Sequence, residues 1–165
     1  MTKDLSALFA FRDLRTFPLT AMHMTMAIRL CILFGQAGRD PLPDLAVRLR
    51  SMEAARQVER VVQTVQRNWP EHFLVHRPCC LALSPDEALL GDLTIAATQG
   101  DESGAVQLLS DMLPADMARS LFLDIVAAAG AIQTAQLQPH RPGGETGATD
   151  RPDRAGVSDE RRSKW

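Results

Sequence analysis

The chain contains no tyrosine, and aromatic residues make up only 5% of its 165 residues. A stacking platform for single-stranded nucleic acid is therefore poorly supplied. Lysine is nearly missing: Lys3 and Lys164 stand beside 16 arginines. A GC-rich coding bias explains that skew without any function, although arginine is also the better bidentate partner for phosphate and carboxylate. Net charge is only −2, so no overall basic field marks a polyanion partner. Cysteine is limited to Cys31, Cys79 and Cys80. An odd count with two neighbours adjacent suits a reducing compartment better than a disulfide scaffold. The first residues hold no apolar run followed by a small-residue cleavage site. The most apolar stretch, Leu19–Gly35, contains His23, Thr25 and Arg29 and reads as too short and too polar to span a bilayer. The expectation is a cytoplasmic protein with no membrane association. G-x-G-x-x-G, P-loop, H-E-x-x-H and G-x-S-x-G motifs are all absent, and no cofactor is expected.

What is present is helical periodicity. Hydrophobic residues make up 45% and charged residues 23%, values typical of a globular protein. Leu5, Leu8, Phe9 and Phe11 suggest a short amphipathic turn over Leu5–Leu14, broken by Phe17-Pro18. Pro18 then opens a helix to about Phe34, with Thr16 as its cap and a core stripe of Leu19, Met22, Met26, Leu30 and Leu33. Gly35 and Gly38 end it. After the Arg39–Pro43 turn, a helix from Asp44 to Arg67 is expected, with Ser51 as a candidate break and Val47, Val58, Val61, Val62 and Val65 as its apolar stripe. Asn68-Trp69-Pro70 closes it.

Glu71–Leu83 is ambiguous. Phe73-Leu74-Val75 suits a brief extended piece, and Pro78 blocks a continuous helix. Ser84-Pro85-Asp86-Glu87 is a strong helix start, with Ser84 as cap, Pro85 first in the helix and Glu87 completing a capping box. That helix runs to Gln99-Gly100. Asp101 caps another through Leu113, and Pro114 opens a last one over Ala115–Ala135 with Leu121, Phe122, Ile125, Val126 and Ile132 apolar. From Gln138 to Trp165, Pro, Gly, Asp, Arg and Ser dominate, a composition that predicts disorder. The fold expected is therefore all-α, a single-domain bundle of five or six helices over residues 1–137 with a disordered tail over 138–165.

The Pro78-Cys79-Cys80 step, the Leu83-Ser84-Pro85-Asp86-Glu87-Ala88-Leu89-Leu90 run, the Gly100-Asp101 turn and Leu108-Leu109 together resemble a group of small uncharacterised proteins of sphingomonad-type bacteria. The resemblance lies within Cys79–Ala135. It implies an all-helical fold and carries no activity to transfer.

Four sets of residues invite a chemical reading. His72, His76, Cys79 and Cys80 fall within nine residues and offer imidazole and thiolate ligands for zinc or a similar ion. Against this, adjacent cysteine side chains diverge, and Pro78 stiffens the loop. The competing reading is a structural loop with small, hydrophobe-like cysteines. The same thiols and imidazoles could serve nucleophilic or redox chemistry, but no orienting third group is marked. Met22, His23, Met24 and Met26 suit Cu(I), yet Met22 and Met26 share the apolar stripe and read as core packing, with His23 exposed and His23 and Met24 directed elsewhere. Arg48, Arg56, Arg60 and Arg67, with Arg39 and Arg50 nearby, could line a duplex backbone. The acid pairs Asp86/Glu87 and Asp101/Glu102 sit in first helical turns, where they favour the macrodipole.

Charge is unevenly laid out. Residues 1–78 carry 11 basic and 7 acidic groups, a net of +4, whereas residues 79–137 carry 1 basic and 8 acidic, a net of −7. The later helices would repel DNA. Opposed halves suit an acidic surface that meets a basic partner, or self-association. The leading expectation is a small non-enzymatic protein acting through protein–protein contacts, with a homodimer as one form. A metal-binding or thiol-redox module at His72/His76/Cys79/Cys80 and a DNA-binding regulator using the arginine-bearing helix are the alternatives.

Overall fold

The computed structural model describes residues 12–138. Residues 5–11 of the expected Leu5–Leu14 turn and the tail beyond Gln138 lie outside the described residues, and of the rest Asp13 pairs with Ala82 and Leu14 starts the 3-10 turn. Six α-helices follow one 3-10 turn at Leu14–Thr16: α1 Leu19–Gln36, α2 Leu42–Leu49, α3 Met52–Asn68, α4 Pro85–Gln99, α5 Glu102–Leu109 and α6 Ala115–Leu137. The described part is all-α. Its sole pairing of extended chain is one antiparallel bridge between Asp13 and Ala82. Phe73–Val75 forms no strand.

Local chemistry explains most boundaries. At Ser84 both halves of the capping box form: Glu87 N donates to Ser84 Oγ at 3.1 Å, and Ser84 N donates to Glu87 Oε2 at 2.9 Å. Gly100 ends α4 at φ 73°, a left-handed conformation that glycine adopts without strain. Asp101 caps α5 by accepting from Gly104 N. The helix expected over Asp44–Arg67 is two helices. Arg50 takes φ 56°, and Ser51 caps α3 by accepting from Ala54 N. Thr16 does not cap α1; its hydroxyl donates to Asp13 O at 2.7 Å, and Pro18 itself occupies the cap position. α5 stops at Leu109 rather than Leu113.

α1 is the most deeply buried helix and packs on α2, α3, α4 and α6. That position overturns its expected one-sided stripe. Leu30 of that stripe is buried, but Met22, Met26 and Leu33 are only partly buried and Leu19 is 53% exposed, whereas Ala21, Met24, Thr25, Ala27, Ile28, Arg29, Cys31 and Ile32 are buried. The buried residues of α1 are spread round most of the helix, so no single stripe marks its inner side. Val47 is likewise exposed, at 79%, because α2 is an edge helix. The remaining expected valines, Val58, Val61, Val62 and Val65, are buried against α6 and α2. By length and composition α1 and α6 both qualify as membrane-crossing helices, contrary to the polarity expected of α1. The α1 window is 56% buried inside the bundle and the α6 window 39%, so α6 is the less covered of the two.

Candidate functional site

Trp69 to Ser84 is a 16-residue connection without helix or strand, between α3 and α4. Structureless connections of this length are uncommon unless something holds them in place or they carry function. Here the holding groups are Arg29 of α1 and the first turn of α4. Arg29 is fully buried. Its Nε and Nη2 donate to both carboxylate oxygens of Glu87, at 2.6 and 2.9 Å. Its remaining N–H groups donate to the carbonyls of Cys80 at 2.5 Å, Ala82 at 2.9 Å and Arg77 at 3.4 Å. All five guanidinium donors are thereby used.

Glu87 is 1% exposed and accepts from the backbone N–H of His76 and of Ser84. Burial opposes its charge, but the guanidinium of Arg29 and these two amides outweigh burial and hold its carboxyl below the ordinary value. Asp86 adds two more ties, accepting from Leu74 N at 2.7 Å and from Trp69 Nε1 at 3.3 Å. The Ser84 hydroxyl donates to Leu74 O at 2.6 Å. The acids of this first turn thus hold the preceding segment in place, beyond any interaction with the helix dipole.

The segment encloses a hollow of about 450 Å³ against α1 and α3, lined by Ile32, Val65, Trp69, Phe73, His72 and His76 among others. Trp69 and Phe73 meet edge to face with centroids 5.1 Å apart. The structure brings His72 and His76 to this hollow and leaves both Cys79 and Cys80 out of its lining. Cys79 is exposed and Cys80 half-buried, on a turn closed by Cys80 N donating to Arg77 O. Among the described residues no three His, Cys, Asp or Glu side chains converge as a metal site. The four-ligand set of His72, His76, Cys79 and Cys80 is therefore not assembled.

The Met22–Met26 group is also separated. Met24, expected to point away from the core, is fully buried, while Met22 and Met26 are half-buried. His23 is partly buried rather than exposed, with Nδ1 2.6 Å from the Gln136 amide, and burial lowers its pKa.

Arg48, Arg56, Arg60 and Arg67 are all exposed, and none lies within ion-pair distance of an acid among the described residues. At 100° per residue, Arg56, Arg60 and Arg67 share one outward strip of α3. Arg48 lies apart on α2, beside a smaller hollow that includes His23 and Leu45.

A feature the sequence reading missed is the outer face of α6. Val126, expected in the core, is 38% exposed, beside Leu123 at 57% and Leu137 at 84%. Ala127, Gly130 and Thr134 are exposed with them. Leu123, Ala127, Gly130, Thr134 and Leu137 fall within a strip about 80° wide on the helix. Asp124, on one side of that strip, accepts from Thr64 of α3, and Arg119, on the other, pairs with Glu102 of α5 at 2.7 Å. The apolar strip is thus bordered by the arginine-bearing α3 and the acidic α5.

The chain matches no family model, no curated protein and no solved structure.

Proposed function

We propose that this is a non-enzymatic protein that acts through protein–protein contact, with the outer face of α6 as the contact surface. The observation that carries the reading is the exposed apolar strip through Leu123, Val126, Ala127, Gly130 and Leu137 on a 23-residue helix. Contiguous exposed apolar surface on a soluble protein commonly marks an interaction site. The strip does not come from weak folding of α6, whose opposite side is packed with Leu121, Phe122, Ile125 and Ile132, each 4% exposed or less.

A photo-crosslinking residue placed at Leu123 tests the reading in cells that express the protein, with Gln99 at the exposed end of α4 as the comparison site. A discrete adduct from position 123, absent from position 99, is the expected result. Equal smears or no adduct at 123 overturn it.

A further inference from the structure

The partner on the α6 face is a second copy of this chain, and we infer that the two α6 helices lie parallel, related by a two-fold axis that runs along them. This rests on the proposed role of α6 as a contact surface. Two observations select the partner and the direction. The first is extent. A 23-residue helix is about 35 Å long. With neighbours 8–10 Å away on each side, the face is about 20 Å wide. Because α3 and α5 are shorter than α6, roughly 700 Å² per subunit is the most this face offers, against the ~800 Å² of a standard interface.

The second is charge. α3 and α5 both pack on α6 and have no substantial contact with each other, so they flank it. The Thr64–Asp124 and Arg119–Glu102 contacts place these flanks at levels a little over one helical turn apart. On the α3 side stand Arg56, Arg60 and Arg67, exposed and unpaired among the described residues, with Glu53 as the one exposed acid. On the α5 side stand Asp101, Glu102 and Asp111, all exposed, with Arg119 as the one cation.

Symmetry decides the rest. A two-fold axis along α6 carries α3 of one copy across to face α5 of the other, so arginines meet carboxylates on both edges. An axis across α6 makes the helices antiparallel and sets α3 against α3 and α5 against α5, so like charges meet on both edges. Like-charge juxtaposition in an interface is costly and selects against that arrangement. In the parallel form Leu123, Ala127, Gly130 and Leu137 each meet their own equivalent. Gly130 has open space where a Cβ would stand, which lets the two backbones approach. Asp116 and Arg119 meet their own equivalents only in the first turns of α6, where helices crossing at about 20° have begun to separate, and Arg119 is paired there with Glu102.

The test uses the full-length purified chain. Sedimentation equilibrium is expected to show a dimer that Leu123→Arg converts to monomer. Neutralising Arg60→Gln/Arg67→Gln reads the direction by its sign. The parallel form predicts roughly ten-fold weaker dimerisation at low salt, with the difference shrinking as salt screens the edges. An antiparallel form predicts a tighter dimer, because repulsion is removed. Single cysteines placed by Leu123→Cys, Gly130→Cys and Leu137→Cys in a Cys79→Ser/Cys80→Ser background give a second reading, since the remaining Cys31 is buried. A short bismaleimide links all three to their own equivalents in the parallel form and at most one in the antiparallel form.

A chain that stays monomeric at about 100 μM, above the micromolar Kd of a transient complex, overturns the second copy as partner. If that monomer still yields a Leu123 adduct with another protein in cells, the contact role of α6 stands and only this inference falls. If it instead floats with phosphatidylglycerol vesicles in a Leu123-dependent way, both fall in favour of a lipid surface.

Discussion

Arg29 and Glu87, 58 residues apart in the chain, form a two-pronged ion pair in the interior, with side chains 0% and 1% exposed. The pair does not simply bind two helices. Glu87 also caps its own helix, and Arg29 also collects three carbonyls from the segment between Arg77 and Ala82. One buried charge thus organises a stretch of chain that has no helix or strand of its own.

Removing either charge alone leaves the other buried without compensation. Glu87→Gln and Arg29→Met are each expected to cost about 3–5 kcal/mol of stability in denaturant unfolding. Arg29→Lys is expected to cost nearly as much, because an ammonium cannot reproduce a planar five-donor fork. The paired change Arg29→Met/Glu87→Leu is expected to recover part of the loss, since no lone charge remains. A double variant no more stable than the worse single variant contradicts this account.

The same pair sets an acid dependence. The folded-state pKa of Glu87 lies below its ordinary value of 4.5, because Arg29 and two backbone amides outweigh burial. A depressed carboxyl contributes stability that is fully present above the unfolded pKa and is lost as pH falls through the folded one. Stability is therefore expected to drop below about pH 4.5, with a shallower drop in Glu87→Gln. Asp13, lowered by the side chain and backbone N–H of Arg15, titrates in the same direction at the surface. Repeating the titration with Asp13→Asn separates the two. An identical acid limb in the wild-type chain and in Glu87→Gln would show that the buried pair does not control it.

Thiol reactivity reports on the strapped segment. Burial, helped by the charges of Glu59 and Asp40, pushes the Cys31 thiol up to about 12. At pH 8 its thiolate fraction is then roughly 1 in 10⁴, and little reagent can reach it. Alkylation followed by mass spectrometry is expected to modify Cys79 first, Cys80 more slowly and Cys31 only on unfolding. Because Arg29 holds the Cys80 carbonyl, Arg29→Lys is expected to raise Cys80 labelling several-fold while Cys79 labelling stays near its original rate. Unchanged Cys80 labelling in that variant would mean that Arg29 does not hold the turn.

The helices were legible where the decisive interaction is local. Ser84-Pro85-Asp86-Glu87 carries its whole cap within four residues, and the structure forms both bonds of it. The core of α1 was not legible, because α1 packs on four helices and only tertiary packing decides which of its apolar residues face inward. Arg29 did leave a signal: a lone charge in an otherwise apolar run must be paired if it is buried. Its partner lies in a helix start that looked complete on local grounds, so Glu87 read as a cap and nothing more. The His72–Cys80 grouping was a proximity in sequence: both histidines line the hollow and neither cysteine does. The α6 face was hidden by the strength of its periodicity, because Val126 sits next to a buried strip and reads as part of it.

Gly91 tests how closely the first described residues pack on the bundle. In the middle of an α-helix, glycine to alanine ordinarily stabilises by about 0.5–1 kcal/mol. Here a Cβ at position 91 would lie 2.1 Å from the ring of Phe17, which is itself buried and sits under the Arg12 guanidinium at 5.1 Å. Arg12 is in turn tied to Asp92 on the next position of α4, at 2.6 and 2.8 Å. The ring has no easy retreat, so the overlap outweighs the gain in helix propensity. Gly91→Ala is expected to destabilise by about 1–3 kcal/mol. Phe17→Leu in the same chain removes the far edge of the ring and is expected to restore part of that loss, a coupling that a double-mutant cycle measures directly. A stabilising Gly91→Ala would show that Phe17 does not pack against α4 in solution.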